Sequence, residues 1–456
     1  MARPDQTLEL PPLPPTSRAS LTGPNEPLRS EAIDDGPFVV TGTVPPGVDG
    51  MLVLVGPNPV ILDDPETYDT AFGSGMVHAV TFERGRPLEE RSRFVVTRVL
   101  VDRLGMTPVP SGPLAAGGPV ANRSVVVVAR RLLALDGMGL GYRLSTSLAT
   151  VSVEDFDGML STSMGTQVEI DPSTGDASFL GVDPWRRPLL HLYELRADGL
   201  LSSSTSVPMS PVGLEPALGA TEGLRFFVES SVRSTVDPET GRGTEELRFE
   251  ADRPALLGLL PLERSGDDAR WCDLAPGHVH QTLCANNTAN GIDVTAIRSA
   301  PSRHGDHEWR PTAGMLERLV VDGPHQRVSI EPLDDIEVVG ACIDVAEGSH
   351  RRRHGYATTV DQRTVIKYNL RTGGAERVDL EPSLLGSRPV FIRDIEGRSD
   401  DEGWLLVSCY DRREQGTSIV IFDASSFSAG PVATVRLPHR LSTINAGTFV
   451  PADLFR

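Results

Sequence analysis

At 456 residues, 39% of them hydrophobic and with a mean hydropathy of -0.15, the chain is that of a soluble globular protein, long enough for one large domain or two to three ordinary ones. A net charge of -19 argues against a nucleic-acid partner, since phosphate binding needs a basic surface, and no apolar run approaches the roughly 18–20 residues of a membrane span. The four cysteines (Cys272, Cys284, Cys342 and Cys409) form no C-x-x-C pair, which argues against a thiolate metal site or a disulfide framework and fits a reducing cytoplasm.

The first 34 residues, rich in proline and with neither the basic start nor the apolar core of a signal peptide, read as a partly extended arm. From residue 35 onward short apolar runs alternate with turn signals: FVVTG then PPGVDG, LVLVG then PNP, VEI then DPSTG, VIKYNL then RTGG, WLLVSCY then DRREQG. Glycine tolerates positive φ and proline presets φ, so these are hairpin turns between strands. Helical period is weak and confined to Arg98–Leu104, Pro208–Ala217 and Arg253–Leu260. Many short strands without intervening helices predict an all-β protein, and a single domain over residues 35–456 is most economically a β-propeller. The run PALLGLLPL is apolar enough for a weak membrane-surface contact on a cap, or for a buried cap helix. Lys367 is the chain's one lysine, in a strand where a structural role is expected.

The landmarks FVVTGTVPPGVDGMLVLVGPNPV, FGSGMVHAVTFERGR, LLALDGMGLGYRL, IDPSTGD, VIKYNLRTGG and RLPHRLSTINAGTFVP fall in the order found in the carotenoid cleavage oxygenases, which the chain resembles from about residue 35 to its end. The resemblance implies a seven-bladed β-propeller capped by loops and short helices, with iron on the axis and an apolar tunnel leading to it. Family enzymes hold Fe(II) with four histidines, three of them oriented by glutamates. At the matching positions this chain has Gln167 in QVEIDPSTG, Pro216 in PALGATE, His280 in PGHVHQTLCA and Ala446 in NAGTFVP. For the orienting glutamates it has Gly137 and Arg388, with Glu337 in IEVVGACIDV the third. Three of four ligands are thus replaced, and proline and alanine cannot bind a metal, so the residues predict no iron and no other cofactor.

The chemistry left is non-oxidative: isomerisation, cyclisation or a pericyclic step on a long apolar substrate such as a polyene, terpenoid or polyketide. Abundant arginine beside one lysine fits a GC-rich bacterial genome and an enzyme of secondary metabolism. In this reading His280 acts as acid or base near neutral pH and Glu337 orients it. Gln167 and Arg388 donate hydrogen bonds to a carbonyl or oxyanion, while Ala446, Pro216, Gly137 and His278 line the substrate pocket. Two rivals stand beside it. One is an iron-dependent dioxygenase cleaving a C=C bond at an atypical site made of His278, His280 (two apart on a strand, hence facing the same way) and a carboxylate such as Glu337. The other is a non-catalytic binding protein for an apolar ligand. The cluster SHRRRHGY reads as a solvated or salt-bridged loop, His78 as structural, and His304 and His307 as exposed.

Overall fold

Turn chemistry and alternating apolar residues produce mainly antiparallel sheets in the computed structural model. It describes residues 7–112, 116–183, 189–209, 215–236, 243–250, 252–262, 265–300, 313–345 and 347–454. The chain divides into two compact units, residues 1–166, 361–364 and 378–456 in one, and Gln167–Val360 with Val365–Arg377 in the other.

The first unit contains the sheet that both ends of the chain build. Its order is Ala32–Asp34, Arg86–Phe94, Gly75–Glu83, Gly50–Pro57 and Ala446–Pro451. The last strand pairs antiparallel with Gly50–Pro57, Ala446 opposite Val55 and Pro451 opposite Gly50. The arm does not hang free: Ala32–Asp34 is an edge strand, and Leu10 and Leu21 are buried. A four-stranded meander runs from Ser124–Val128 to Thr150–Glu154, and a further sheet is built on Gly403–Asp411 and Gly416–Asp423. Leu52, Leu54, Val80, Phe82, Leu406 and Ile419 interleave in its core.

The second unit opens with the meander Val168–Ile170, Ala177–Asp183, Leu189–Leu195 and Leu201–Pro208. An eight-stranded sheet follows. Half of it is Ala217–Ala220, Leu224–Glu229, Ala255–Pro261 and Arg270–Leu274, and the other half is His278–Asn287, Gly291–Ser299, Met315–Asp322 and Arg327–Pro332. The halves meet at one parallel pair, Asp273 with Arg327.

Among the described residues there is one α-helix, Arg98–Leu104, where helical period predicts it. Buried Thr97 caps it by accepting from Leu100 N–H, and Gly105, at φ 64°, ends it. The helix expected over Arg253–Leu260 is instead the strand Ala255–Pro261, paired on both edges with Leu224–Glu229 and Arg270–Leu274. A strand enclosed in this way is apolar on both faces, so its run lacks alternation and imitates a buried helix. Leu257, Leu259 and Leu260 are buried, which withdraws the membrane patch proposed for PALLGLLPL; of its leucines Leu262 is the exposed one. The third helical candidate brackets residues outside the described set, with a strand ending at Pro208 and another starting at Ala217. No helix of the described residues is long and apolar enough to cross a membrane.

Candidate functional site

The strand His278–Asn287 carries the chemistry-bearing residues that the second unit brings together. Its ladder with Gly291–Ser299 runs His278 to Ser299 and Val279 to Arg298, then slips, so that Gln281 faces Ile297 and His280 is the extra residue of a bulge. A bulge re-aims a side chain and commonly sits beside a functional site. The rings of His278 and His280 stand edge to face with centroids 4.6 Å apart, so the two histidines do share a side of the strand. His280 Nε2 lies 3.0 Å from Ser299 Oγ. Burial pulls the His280 pKa down to about 4, opposed by a hydrogen bond to the Ala313 backbone, and the ring is neutral at neutral pH.

Gln167, half-buried at the start of Val168–Ile170, donates from Nε2 to the His280 carbonyl oxygen at 3.1 Å, so these two predicted residues meet. Pro216 is buried just ahead of Ala217–Ala220, a strand tied to the histidine strand where Thr282 Oγ1 donates to the Leu218 carbonyl. Glu337 is a different case. It is exposed in the segment before Val338–Ile343, its carbonyl accepts from Val360 N–H, and the groups that hold His280 are Ser299 and the Ala313 backbone. The Glu337 carboxylate is exposed, and it is the Ser299 hydroxyl that meets the half-buried His280 ring.

The remaining predicted residues belong to the first unit. Ala446 is buried opposite Val55, and Arg388 is half-buried between Leu384–Gly386 and Val390–Arg393. Gly137 has φ 77° in the turn after Arg131–Leu135. The residue before it, Asp136, is 2% exposed and accepts from Val120, Ala121 and Met138 N–H, a structural anchor that the sequence reading passed over. His78 is structural as expected, fully buried between the Ser92 and Ser442 hydroxyls at 2.7 and 2.8 Å, with its pKa down to about 3 by burial.

The SHRRRH cluster is not simply solvated. Arg352 is 2% exposed, donates to the carbonyls of Asp344, Glu347 and Leu283, and pairs with Glu169 at 3.2 Å. It lies next to a cleft of about 440 Å³ whose walls include Glu169, Asp171, Glu222, Arg225, His350 and Arg351. Charges of both signs make this cleft unsuited to a simple anion and to an apolar chain. His304 and His307 lie outside the described residues.

Two residues that sequence reasoning missed, Ser299 and Arg298, flank the histidine pair. Only the ladder register brings them there, and a sequence does not display register.

Comparison with known proteins shows the fold and the family. A carotenoid cleavage oxygenase of Mycobacterium tuberculosis is 27% identical over 474 residues, covering 90% of this chain and 93% of that protein. Apocarotenoid-15,15'-oxygenase of Synechocystis is 24% identical, covering 88% and 90%. Among solved structures, a lignostilbene dioxygenase of Pseudomonas brassicacearum superposes with a TM-score of 0.85 at 23% identity, covering 97% of this chain and 100% of that one. A cobalt-substituted Synechocystis apocarotenoid oxygenase gives 0.80 at 23%, covering 93% and 97%. The fold is therefore all-β and propeller-like. The expectation that no metal or cofactor takes part does not stand: the relatives are named oxygenases, family members are iron-dependent dioxygenases, and one solved structure of this fold carries cobalt at its metal site. The family model of retinal pigment epithelial membrane protein matches residues 25–451, and the chain belongs to that family, which includes the carotenoid cleavage oxygenases.

Proposed function

We propose that the protein is a metal-dependent oxygenase that cleaves a carbon–carbon double bond of an apolar small molecule, with an atypical metal site on the strand His278–Asn287. The observation that carries this reading is the pair His278 and His280, edge to face at 4.6 Å on one strand of a chain of this family. Ferrous iron takes neutral imidazole, and His280 is held neutral by burial. Gln167 adds an amide whose Nε2 is engaged with the His280 carbonyl, leaving its oxygen as a further donor to a metal. Ala446 and Pro216 offer no donor atom. The residues present thus fit iron in donor type, with fewer imidazoles than the family's four. When bound, iron supplies the activation of O₂.

The protein's own groups do the positioning. Ser299 holds one edge of the His280 ring, and Gln167 ties the backbone beneath it to the neighbouring meander. Pro216 presents little side chain, and in this reading it is pocket wall for an apolar chain. The count of seven blades belongs to the proposal as well. The eight-stranded sheet divides at its single parallel pair into two antiparallel meanders, and with the Val232–Val236 and Gly243–Phe249 ribbon taken as an insertion, seven antiparallel groups remain among the described residues.

The test is metal analysis of full-length protein produced with iron, followed by incubation with stilbene and polyene substrates in the presence and absence of O₂. About one iron per chain, lost from the His278→Ala/His280→Ala variant together with O₂-dependent formation of two carbonyl products, is the expected result. Iron far below one equivalent, or iron unchanged in the double variant, would overturn the assignment.

A further inference from the structure

The turn that launches the histidine strand is gripped from two sides. Arg298 is 3% exposed, and its Nη2 donates to the carbonyls of Ala275 and Pro276 at 3.0 and 2.6 Å. Its Nη1 donates to Glu317 Oε2 at 3.2 Å, and Glu317 is itself buried. From the other side Ser231 N–H donates to the Gly277 carbonyl at 3.0 Å, and Gly277 N–H donates to Ser231 Oγ at 3.2 Å. Gly277 makes room for the guanidinium: a Cβ built there would stand 2.4 Å from Arg298 Nη2. The next three residues are His278, Val279 and His280, and Arg298 is the ladder partner of Val279.

A buried ion pair is weak evidence for stability, because desolvating both charges offsets their attraction. Its use is geometric. The planar guanidinium meets two consecutive carbonyls and a carboxylate in one fixed arrangement, which a hydrated ammonium cannot reproduce. That arrangement sets where the strand begins, just before the bulge that aims His280 at Ser299.

We infer that Arg298, held by Glu317, is a positioning residue that fixes the bulge carrying His280 relative to His278, and so sets the spacing of the two imidazoles. The inference rests on the metal-site reading of this pair, and the experiment separates the two. Full-length wild type and the variants Arg298→Met, Arg298→Lys and Glu317→Gln are titrated with Co(II) alone, reading affinity and the visible d–d spectrum. Amide exchange is followed in peptides spanning residues 275–283 and, as a control, Gly50–Pro57. Expected are a Co(II) affinity lowered at least tenfold in Arg298→Met with an altered spectrum, partial recovery in Arg298→Lys, and exchange at 275–283 at least tenfold faster while the control peptide is unchanged. Wild-type affinity and spectrum in Arg298→Met overturn the inference. If wild type itself takes up no Co(II), the metal-site reading fails, and the positioning role stands or falls on exchange at 275–283, with unchanged protection refuting it. Should Arg298→Met fail to fold, Glu317→Gln carries the same two readouts, with wild-type values in both refuting the role.

Discussion

Glu90 illustrates how one carboxyl can couple the fold to pH. It has no solvent exposure in Arg86–Phe94, its Oε2 accepts from His439 N–H at 3.0 Å, and its Oε1 has no hydrogen-bond partner. Burial, helped by the charge of Asp34, raises its pKa to about 7 against the backbone hydrogen bond from His439. Because the folded pKa lies above the unfolded one, the protonated group's contribution is complete below pH ~4.3 and is lost as pH rises through 7, a swing of about 3 kcal/mol. Glu90→Gln should therefore match wild type in Tm near pH 5 and exceed it at pH 8, measured by thermal scans across that range. Parallel curves for the two proteins would refute the assignment. Asp136 is the opposite kind of residue, an acceptor for the buried N–H groups of Val120 and Ala121 and for that of Met138. Asp136→Ala leaves the buried N–H groups of Val120 and Ala121 without a partner and should lower stability by at least ~2 kcal/mol, with Asp136→Asn costing less, as read from urea midpoints. At this scale the candidate site was legible in part. Matching motifs picked out His280, Gln167 and His278, which do meet. They also picked out Glu337, which is exposed. They could not find Ser299, Arg298 or Asp136, whose partners come together only through ladder register and loop packing.

Elements were legible wherever one face meets water. The helix Arg98–Leu104 and the meanders follow from caps, turn residues and alternation. The strand Ala255–Pro261 did not, because covering both faces removes the alternation that distinguishes a strand from a helix. The same enclosure makes its side chains unequal to their exposed neighbour. Leu257→Ala opens a cavity in a core shared with Phe226, Val228 and Leu274, and should cost about 2–5 kcal/mol. Leu262→Ala, one residue beyond the strand and 42% exposed, should change stability by less than about 0.5 kcal/mol. Equal losses in a denaturant titration would mean that the run is not packed as a central strand.

At the scale of the whole molecule, the fold was the most legible feature, because ten or so turn and strand signatures in fixed order constrain topology more than any one of them does. What order cannot convey is the closing contact. Residues 446–451 join residues 50–57 across nearly the full length of the chain, and six paired positions hold the junction. Gly50–Pro57 is buried along all eight residues, covered on one edge by Gly75–Glu83 and on the other by this last strand. Removing residues 446–456 would uncover one edge of a long apolar strand (Met51-Leu-Val-Leu-Val55) with none of the charges or prolines that protect natural edges. Such an edge templates pairing with another chain, and the net charge of -19 is too diffuse to block a contact made through backbone hydrogen bonds. The truncated protein should consequently collect in the insoluble fraction or elute as large oligomers on gel filtration. Removing only residues 453–456 leaves every pair of the closing strand in place and should behave as the full chain does. If the longer truncation stayed soluble, eluted as the full chain does and kept its Tm, the closing strand would not be what completes this sheet.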